Sequence, residues 1–459
     1  MAKKKQIELT IEEKLQNALV PKEEQPYKIP SNWCWSYWKY CGKFIAGNGF
    51  KNIYQGFTQY DIPYYKVGSL KFCDEGNYLI DETNTINEEI RTKLKAVKIP
   101  VNSIIFAKIG EAIKLNRRCL NKIECCIDNN LMAFISEKYF YKYIFYWTKS
   151  LNFYELTNAT TVPALRKTDL ENIPIPLPPL NEQQRIVNII ESLFAKLDRA
   201  KELIENTLAQ FEQNKMAILH KAFTGELTAK WRKENNIDLS SWQDYQLKDI
   251  CEKITDGTHN SPINTDLGDY MYITAKNIKE EGIDLSKITY VSSDIHEKIY
   301  ARCNVEFGDV LYIKDGATTG IATINTIKEQ FSLLSSVAVL KPKKNKLLAK
   351  YLVYKLNSNE VRNMMINNMS GVAITRLTLT KIKQAKMKFP TIEEQQEIVN
   401  ILDNLLAKYN KIKNLEQQLE KIELLKKAIL AKAFRGELGT NNPDEESAEN
   451  LLKEILAEK

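Results

Sequence analysis

Three histidines (His220, His259, His296) and eight cysteines (Cys34, Cys41, Cys73, Cys119, Cys125, Cys126, Cys251, Cys303) are the side chains best suited to metal or nucleophilic chemistry. Their spacing supports neither. No Cys-x-x-Cys pair occurs, so no metal site is expected and reduced cytosolic thiols are the default. The histidines give no zincin or triad pattern. Gly316-Ala-Thr-Thr-Gly320 has the glycines of a phosphate loop, but the spacing is wrong and no Lys-Ser/Thr follows. It reads as a turn after a strand. No Asn/Asp-Pro-Pro-Tyr/Phe motif is present, since Leu177 precedes Pro178-Pro179. No Gly-x-Gly loop of the kind that binds a methyl-donor nucleotide follows a strand. No catalytic residue is assigned, and the chain reads as a recogniser.

Groups that could address nucleic acid are more plentiful. Gly-rich loops let backbone approach phosphates, and Arg, Lys, Asn, Gln and Thr on such loops can address base edges. In the first half of the chain the candidates are Asn48, Lys51, Tyr54, Gln55, Lys66, Lys108 and Arg166. In the second half they are Thr258, His259, Asn260, Ser261, Lys276, Asn277, Lys314, Thr318, Thr319 and Arg376. Each taken singly is equally well explained as a turn or strand-end residue. The argument is that both halves place such groups at equivalent positions. The net charge of +7 on 459 residues is compatible with a nucleic-acid partner without requiring one.

These groups must be positioned by something, and the clearest elements are two long helical copies. Leu180–Leu227 and Ile392–Leu438 align Glu182 with Glu394 and Ala217 with Ala428, so one residue has been dropped between them. Ile186, Ile190, Leu193, Leu197, Ala200, Ile204, Leu208, Phe211 and Ile218 form a narrow stripe, with Lys215 breaking it. Ile398, Leu402, Leu405, Tyr409, Ile412, Leu415, Leu419, Ile422, Leu425 and Ile429 form the second. A sustained, narrow stripe is a coiled-coil seam. Pro precedes each helix and Gly225 or Gly436 follows. Each would be roughly 60 Å long. Packing the two against each other is the simplest way to bury both stripes. The shared Glu-Gln-Gln, Ala-Lys, Lys-Ala-Phe and Gly-Glu-Leu segments are expected at exposed positions.

The intervening segments are modules of short strands and Gly turns, an α+β pattern. Gly257–Pro262 fills the loop position of Gly47–Lys51, and Tyr270–Thr274 matches Ile62–Lys66. Val305–Lys314 matches Val101–Lys108, the helix at Lys350–Leu356 matches that near Tyr146, and Gly371–Arg376 matches Thr161–Arg166. The division is residues 1–25, a short helix with a Thr10-x-x-Glu13 cap and linker; 26–178, the first recognition domain; 179–227, the first helical region; 228–241, a connector; 242–389, the second recognition domain; 390–438, the second helical region; and 439–459, an amphipathic tail helix. The fold class is α+β, with two globular target-recognition domains separated by two long antiparallel helices in a coiled coil, a pseudo-twofold tandem repeat. The 44% hydrophobic and 27% charged content fits a soluble protein. No apolar run reaches transmembrane length, and the basic N-terminus lacks an apolar core, so no membrane association and a cytoplasmic location are expected.

Ile173-Pro-Ile-Pro-Leu-Pro-Pro-Leu-Asn-Glu-Gln-Gln-Arg-Ile-Val187 with Leu219–Leu227, and Phe389-Pro-Thr-Ile-Glu-Glu-Gln-Gln-Glu-Ile-Val399 with Ala433–Leu438, resemble the two conserved regions of type I restriction–modification specificity subunits. Glu446–Lys453 is similar to that family's ending, and Gly47–Gly56 and Gly257–Pro262 to its recognition modules. The second copy departs from the pattern, with Met387-Lys-Phe-Pro-Thr-Ile where the first is Pro-rich.

The resemblance implies that each module reads one half of a bipartite site in double-stranded DNA and that the helices set the spacer. It implies two methyltransferase subunits docked on the helical regions and, optionally, two restriction subunits. It implies no cofactor in this chain, with S-adenosylmethionine, ATP and Mg expected in the partners. Gln183, Gln184, Phe194, Phe223, Gln395, Gln396, Leu406 and Phe434 are candidate docking residues. Phe223 and Phe434 have an equal alternative, closing the ends of the coiled coil. Two other functions stay open at this point: a specificity fragment of a fused methylase–nuclease, and a coiled-coil scaffold that binds protein.

Overall fold

The structure, a computed structural model, describes residues 10–157, 162–367, 369, 376–410 and 413–458. Thr161, Gly371–Thr375 and Ile412, which entered the expected matches and stripe, lie outside the described residues. The chain divides into two compact units, residues 1–202 with 418–459 and residues 203–417. Each unit therefore holds one recognition domain, the first part of one long helix and the last part of the other.

In the first domain the strands are β1 (Cys34–Tyr37), β2 (Gly42–Ala46), β3 (Ile62–Tyr65), β4 (Thr85–Ile86), β5 (Ile104–Ala107), β6 (Arg118–Leu120), β7 (Cys126–Ile127), β8 (Leu131–Ser136) and β9 (Pro174–Leu177). They form sheets ordered β2-β8-β5-β6 and β4-β3-β7, and the pair β1-β9. β5 is apolar throughout and buried along its length, as a central strand covered on both faces must be. Trp38 is fully buried beneath this sheet and packs edge-on against Phe44 and Trp147. Cys73 and Cys119 are joined in a disulfide, against the expectation of thiols throughout, and the other six cysteines are buried thiols.

The second domain contains β10 (Gln243–Gln246), β11 (Cys251–Asp256), β12 (Tyr270–Ile273), β13 (Ile278–Lys279), β14 (Gly282–Ile283), β15 (Thr289–Val291), β16 (Val310–Ile313), β17 (Ala322–Ile324), β18 (Ser332–Leu333), β19 (Val337–Pro342) and β20 (Lys386–Phe389). Its sheets run β11-β19-β16-β17 and β15-β12-β18, with the pair β10-β20. Strand for strand this is the topology of the first domain, with the β13-β14 hairpin added. Pairing directions repeat as well: β3 is antiparallel to β4 and parallel to β7, as β12 is to β15 and β18. The expected matches of β3 with β12 and β5 with β16 are therefore observed. Because β20 pairs with β10 as β9 pairs with β1, the Pro-poor second lead-in keeps the geometry of the first.

The first long helix spans Leu180–Thr224 and ends at Gly225, whose φ of 86° is a left-handed stop. The second is described as Ile392–Asn410 and Lys413–Ala433, and Gly436 has φ 75°. Within the first unit, Lys426 contacts Asp198 and Lys201 lies 3.8 Å from Glu423, so the two helices run antiparallel there. In the second unit Leu219, Ala222 and Phe223 share a core with Ile398 and Leu402.

The Glu-Gln-Gln copies, expected on an exposed face, are corrected in their first two residues, while Gln184 and Gln396 are exposed as expected. Glu182, Gln183, Glu394 and Gln395 have no exposed surface. Gln183 accepts from the Phe140 amide (3.1 Å) and donates to the Pro178 carbonyl (3.0 Å). Gln395 accepts from Leu348 (2.9 Å) and donates to Pro390 (3.0 Å). About two turns further on, Glu191 takes Lys142 (2.8 Å) and Tyr146 (3.4 Å). Asp403 takes Lys350 (2.7 Å) and Tyr354 (2.5 Å) in the same way. The shared polar residues are thus the clamp that fastens each recognition domain to its helix. Phe434 is buried edge-on to Tyr143, and Phe223 is buried against Tyr351, so both sit in cores.

The polar connector is structured too. Ala229–Glu234 is helical and carries Arg232 into contact with Glu394. At the other end of the chain, Thr10 forms the expected capping box with Glu13. The helix Ala448–Ala457 buries Leu452, Ile455 and Leu456.

Candidate nucleic-acid interface

In both domains the first sheet strand leads into a loop pinned by one glycine. A Cβ on Gly47 would lie 2.0 Å from the Asp128 carbonyl oxygen, and one on Gly257 2.0 Å from that of Leu333. Only glycine permits this approach. The next residue makes a parallel bridge in each case: Asn48 N donates to Ile127 O (3.0 Å), and Thr258 N to Leu333 O (2.8 Å). Beyond β5 and β16 a second match appears. Leu165 N donates to Lys108 O (2.8 Å), and Leu377 N to Lys314 O (3.1 Å). The bridges Ile109–Ala164 and Asp315–Arg376 set Ala164, not Arg166, at the position of Arg376, so the expected match of the two arginines is corrected by two residues. Arg166 follows the leucine bonded to Lys108, and Arg376 precedes the one bonded to Lys314. Both arginines are exposed.

The first-domain candidates divide by what their side chains already do. Asn48 Oδ1 accepts from the Val97 amide (3.1 Å), so its side chain holds the loop. Lys66 Nζ donates to Gln55 Oε1 (2.7 Å), and Gln55 Nε2 donates to Phe50 O (2.9 Å), which braces the loop internally. Tyr54 packs against a small core. Lys51 is exposed and Lys108 half-buried. Asp128 feels the charges of both Lys66 and Lys108. Burial raises its carboxyl above the usual range, against the pull of the two lysines.

In the second domain the acid has changed strand. Asp256, at the end of β11, is 1% exposed. It contacts Arg302, lies 3.5 Å from Lys314 Nζ, and lies 3.4 Å from His259 Nε2. Lys314 also meets Asp315 at 2.9 Å and is buried, so it is not a free reading group. Asn277 is buried as well: it accepts from Thr274 N (3.0 Å) and donates to Asp284 O (3.1 Å). Buried Thr319 donates to Gly316 O (2.7 Å), fixing the turn between β16 and β17. Asn277, Lys314 and Thr319 are therefore corrected from reading groups to structural ones, because buried polar atoms must find partners. Thr258 donates to Asn260 O (3.0 Å). His259, Asn260, Ser261, Lys276 and Thr318 remain exposed.

Asp128, Asp256 and Arg302 escaped the sequence reading because most of the charges facing them come from distant parts of the chain. Ile53 and Ile263 did so as well. Each lies six positions beyond its pinned glycine and is 71% or 84% exposed. That matched offset was visible in the sequence once the glycines were aligned. Of the docking candidates, Gln184 and Gln396 are exposed on their helices, bonded to Asn188 (2.8 Å) and Asn400 (2.9 Å). Phe194 and Leu406 are half-buried. Gln183, Gln395, Phe223 and Phe434 are withdrawn from the surface. Among the described residues no helix is long and apolar enough to cross a membrane.

Comparison with known proteins places this architecture. Residues 52–210 and 240–424 match the type I restriction modification DNA specificity domain. The EcoBI specificity subunit of Escherichia coli is 30% identical over 330 residues, 66% of this chain and 68% of that protein. The EcoKI specificity subunit of Escherichia coli K12 is 26% identical over 318 residues, again 66% and 68%. Among solved structures, a chain from a study of complex assembly and conformational transition in a type I R-M system aligns with a TM-score of 0.65. It is 20% identical and covers 90% of this chain and 100% of that one. The HsdS subunit from Thermoanaerobacter tengcongensis aligns at 0.52 and 19% identity, covering 90% and 100%. At those identities the structures speak for the fold.

Proposed function

This chain belongs to the type I restriction–modification DNA specificity family, and from that premise we infer that it chooses the DNA site on which methyltransferase and restriction subunits act. It is a specificity subunit with two recognition domains. Each domain reads one half of a bipartite site through its pinned loop and the lysine–arginine edge beside it. The long helices fix how much unread DNA lies between the halves. Their exposed faces, with Gln184, Gln396, Phe194 and Leu406, dock two methyltransferase subunits, and two restriction subunits join optionally. The methyl donor, ATP and Mg belong to those partners.

The observation that carries this reading is the repeated clamp beneath unlike loops. Gln183 and Gln395, Glu191 and Asp403, and the paired lysines and tyrosines repeat position for position. The loops above them share the pinned glycine and the bridge that follows it, and differ beyond these in side chains and in backbone. A scaffold held constant under two variable surfaces is what two independent sequence readers require. Phosphate contacts would position such a surface and base-edge contacts would specify the site.

The test is a methylome of cells carrying this subunit with its methyltransferase partners. The reading predicts one methylated motif of two short halves around a fixed gap. Replacing residues 47–55 should alter one half and leave the other unchanged. A continuous motif, or alteration of both halves at once, would refute it.

A further inference from the structure

A cavity of about 320 Å³ opens in the first recognition domain, apart from the loops described above. Lys71, Arg117, Arg118 and Lys149 line it together with the amide side chains of Asn77 and Asn116, and no carboxylate does. Arg118 begins β6 and is 3% exposed. Its terminal nitrogens donate to the carbonyls of Asn116 (2.5 Å) and Leu151 (2.7 Å), and its plane lies 3.9 Å from the Phe153 ring centre. Its Nε is buried without a hydrogen bond. Lys149 Nζ donates to Asn77 Oδ1 at 2.6 Å. Neither cation is in an ion pair among the described residues. The disulfide between Cys73 and Cys119 ties the wall of the cavity to β6.

Positive charge held out of water without an acid is costly. Burial pushes the Arg118 guanidinium down to about 9. Burial, with Arg118 and Lys426 nearby, pushes the Lys149 ammonium down to about 8 against the pull of Asp198. An anion in the cavity would relieve both. We propose that this cavity binds a phosphate group. Arg118 and Lys149 supply the field from within, Arg117 and Lys71 bring donors from the rim, and the two amides add hydrogen bonds. Charge-assisted bonds to phosphate are the strongest such a site can make. The phosphate comes from the DNA backbone or from free phosphate, and only the first source rests on the DNA-reading function.

The experiment is titration of the full chain with inorganic phosphate at constant ionic strength, read by calorimetry and by thermal melting. Binding is expected with a dissociation constant on the order of 1 mM, accompanied by a rise in melting temperature. Paired Arg117→Ala and Lys149→Met substitutions, with circular dichroism showing the fold intact, should weaken it about tenfold or more. Competition by a short duplex identifies the DNA backbone as the source, and no competition identifies free phosphate. No phosphate response beyond that to chloride would overturn the proposal. So would an undiminished response in the folded double variant.

Discussion

The indole Nε1 of Trp33 donates to Glu182 Oε2 at 2.8 Å, and in the second copy Trp242 does the same to Glu394 at 2.9 Å. Each carboxylate is wholly buried at the start of a long helix and takes a threonine as well: Thr440 at 3.0 Å for Glu182, Thr228 at 2.6 Å for Glu394. Those threonines follow the end of the other long helix. Each knot therefore ties a helix start, a helix end and the first residues of a recognition domain. The third partner differs: Asn441 reaches Glu182 at 3.1 Å, whereas Arg232 meets Glu394.

That difference sets an order of damage. Glu182→Gln leaves neutral donors around a neutral amide and is expected to cost about 1–2 kcal/mol. Glu394→Gln strands a buried guanidinium and is expected to cost about 3–5 kcal/mol. Chemical denaturation of the two variants measures both. Equal losses would show that Arg232 adds nothing to the knot.

Alkaline stability tests a second buried cation. Lys355 is 4% exposed among the rings of Phe223, Tyr351 and Phe389, and burial pushes its ammonium down to about 8. The unfolded chain keeps this proton up to the ordinary lysine range, so between about pH 8 and 10.4 it binds more protons than the folded one. Lys355's contribution to stability must then rise with pH across that window. Below it, holding the charge inside costs up to about 3 kcal/mol. Lys355→Met is expected to raise the melting temperature at pH 7 and to flatten the rise between pH 8 and 10. A lower melting temperature at pH 7 would show that the aromatic rings outweigh the burial cost.

Reading and structural residues should separate in a binding assay. Arg166→Ala and Arg376→Ala are expected to weaken binding by about 1–3 kcal/mol, each relaxing one half-site only. Ile53→Ala and Ile263→Ala should act on the same half-sites as the neighbouring arginines, because apolar groups on such loops meet thymine methyls or base steps. Asn277→Ala and Thr319→Ala should lower the melting temperature and leave the preferred sequence unchanged. Systematic selection of bound duplexes with each variant distinguishes the two classes.

The long helices were legible because a narrow apolar stripe over some forty residues, bounded by Pro and Gly, has few other solutions. The shared loop positions were legible because Gly47 and Gly257 occupy the same tight approach in both copies. The clamp was not legible. Gln183 and Gln395 are polar residues on a helix, and periodicity assigns those to solvent. Only their partners, Phe140 and Leu348 on separate domains, reveal that they are buried. For the same reason Lys314 read as a free cation, since Asp256 reaches it from a different strand. The sheets eluded prediction because strands of two to six residues carry too little pattern to fix an order.

The central claim is that the two recognition domains read a site of fixed spacing. Shifting one half-site by a base pair moves it about 3.4 Å along the duplex and about 35° around it, off the face of its reader. The direct measurement is methylation by this subunit with its methyltransferase partners, on duplexes carrying both half-sites with the gap varied one base pair at a time. A single accepted gap, with modification falling at least tenfold one base pair either side, is the result expected. Equal modification across all gaps would contradict it.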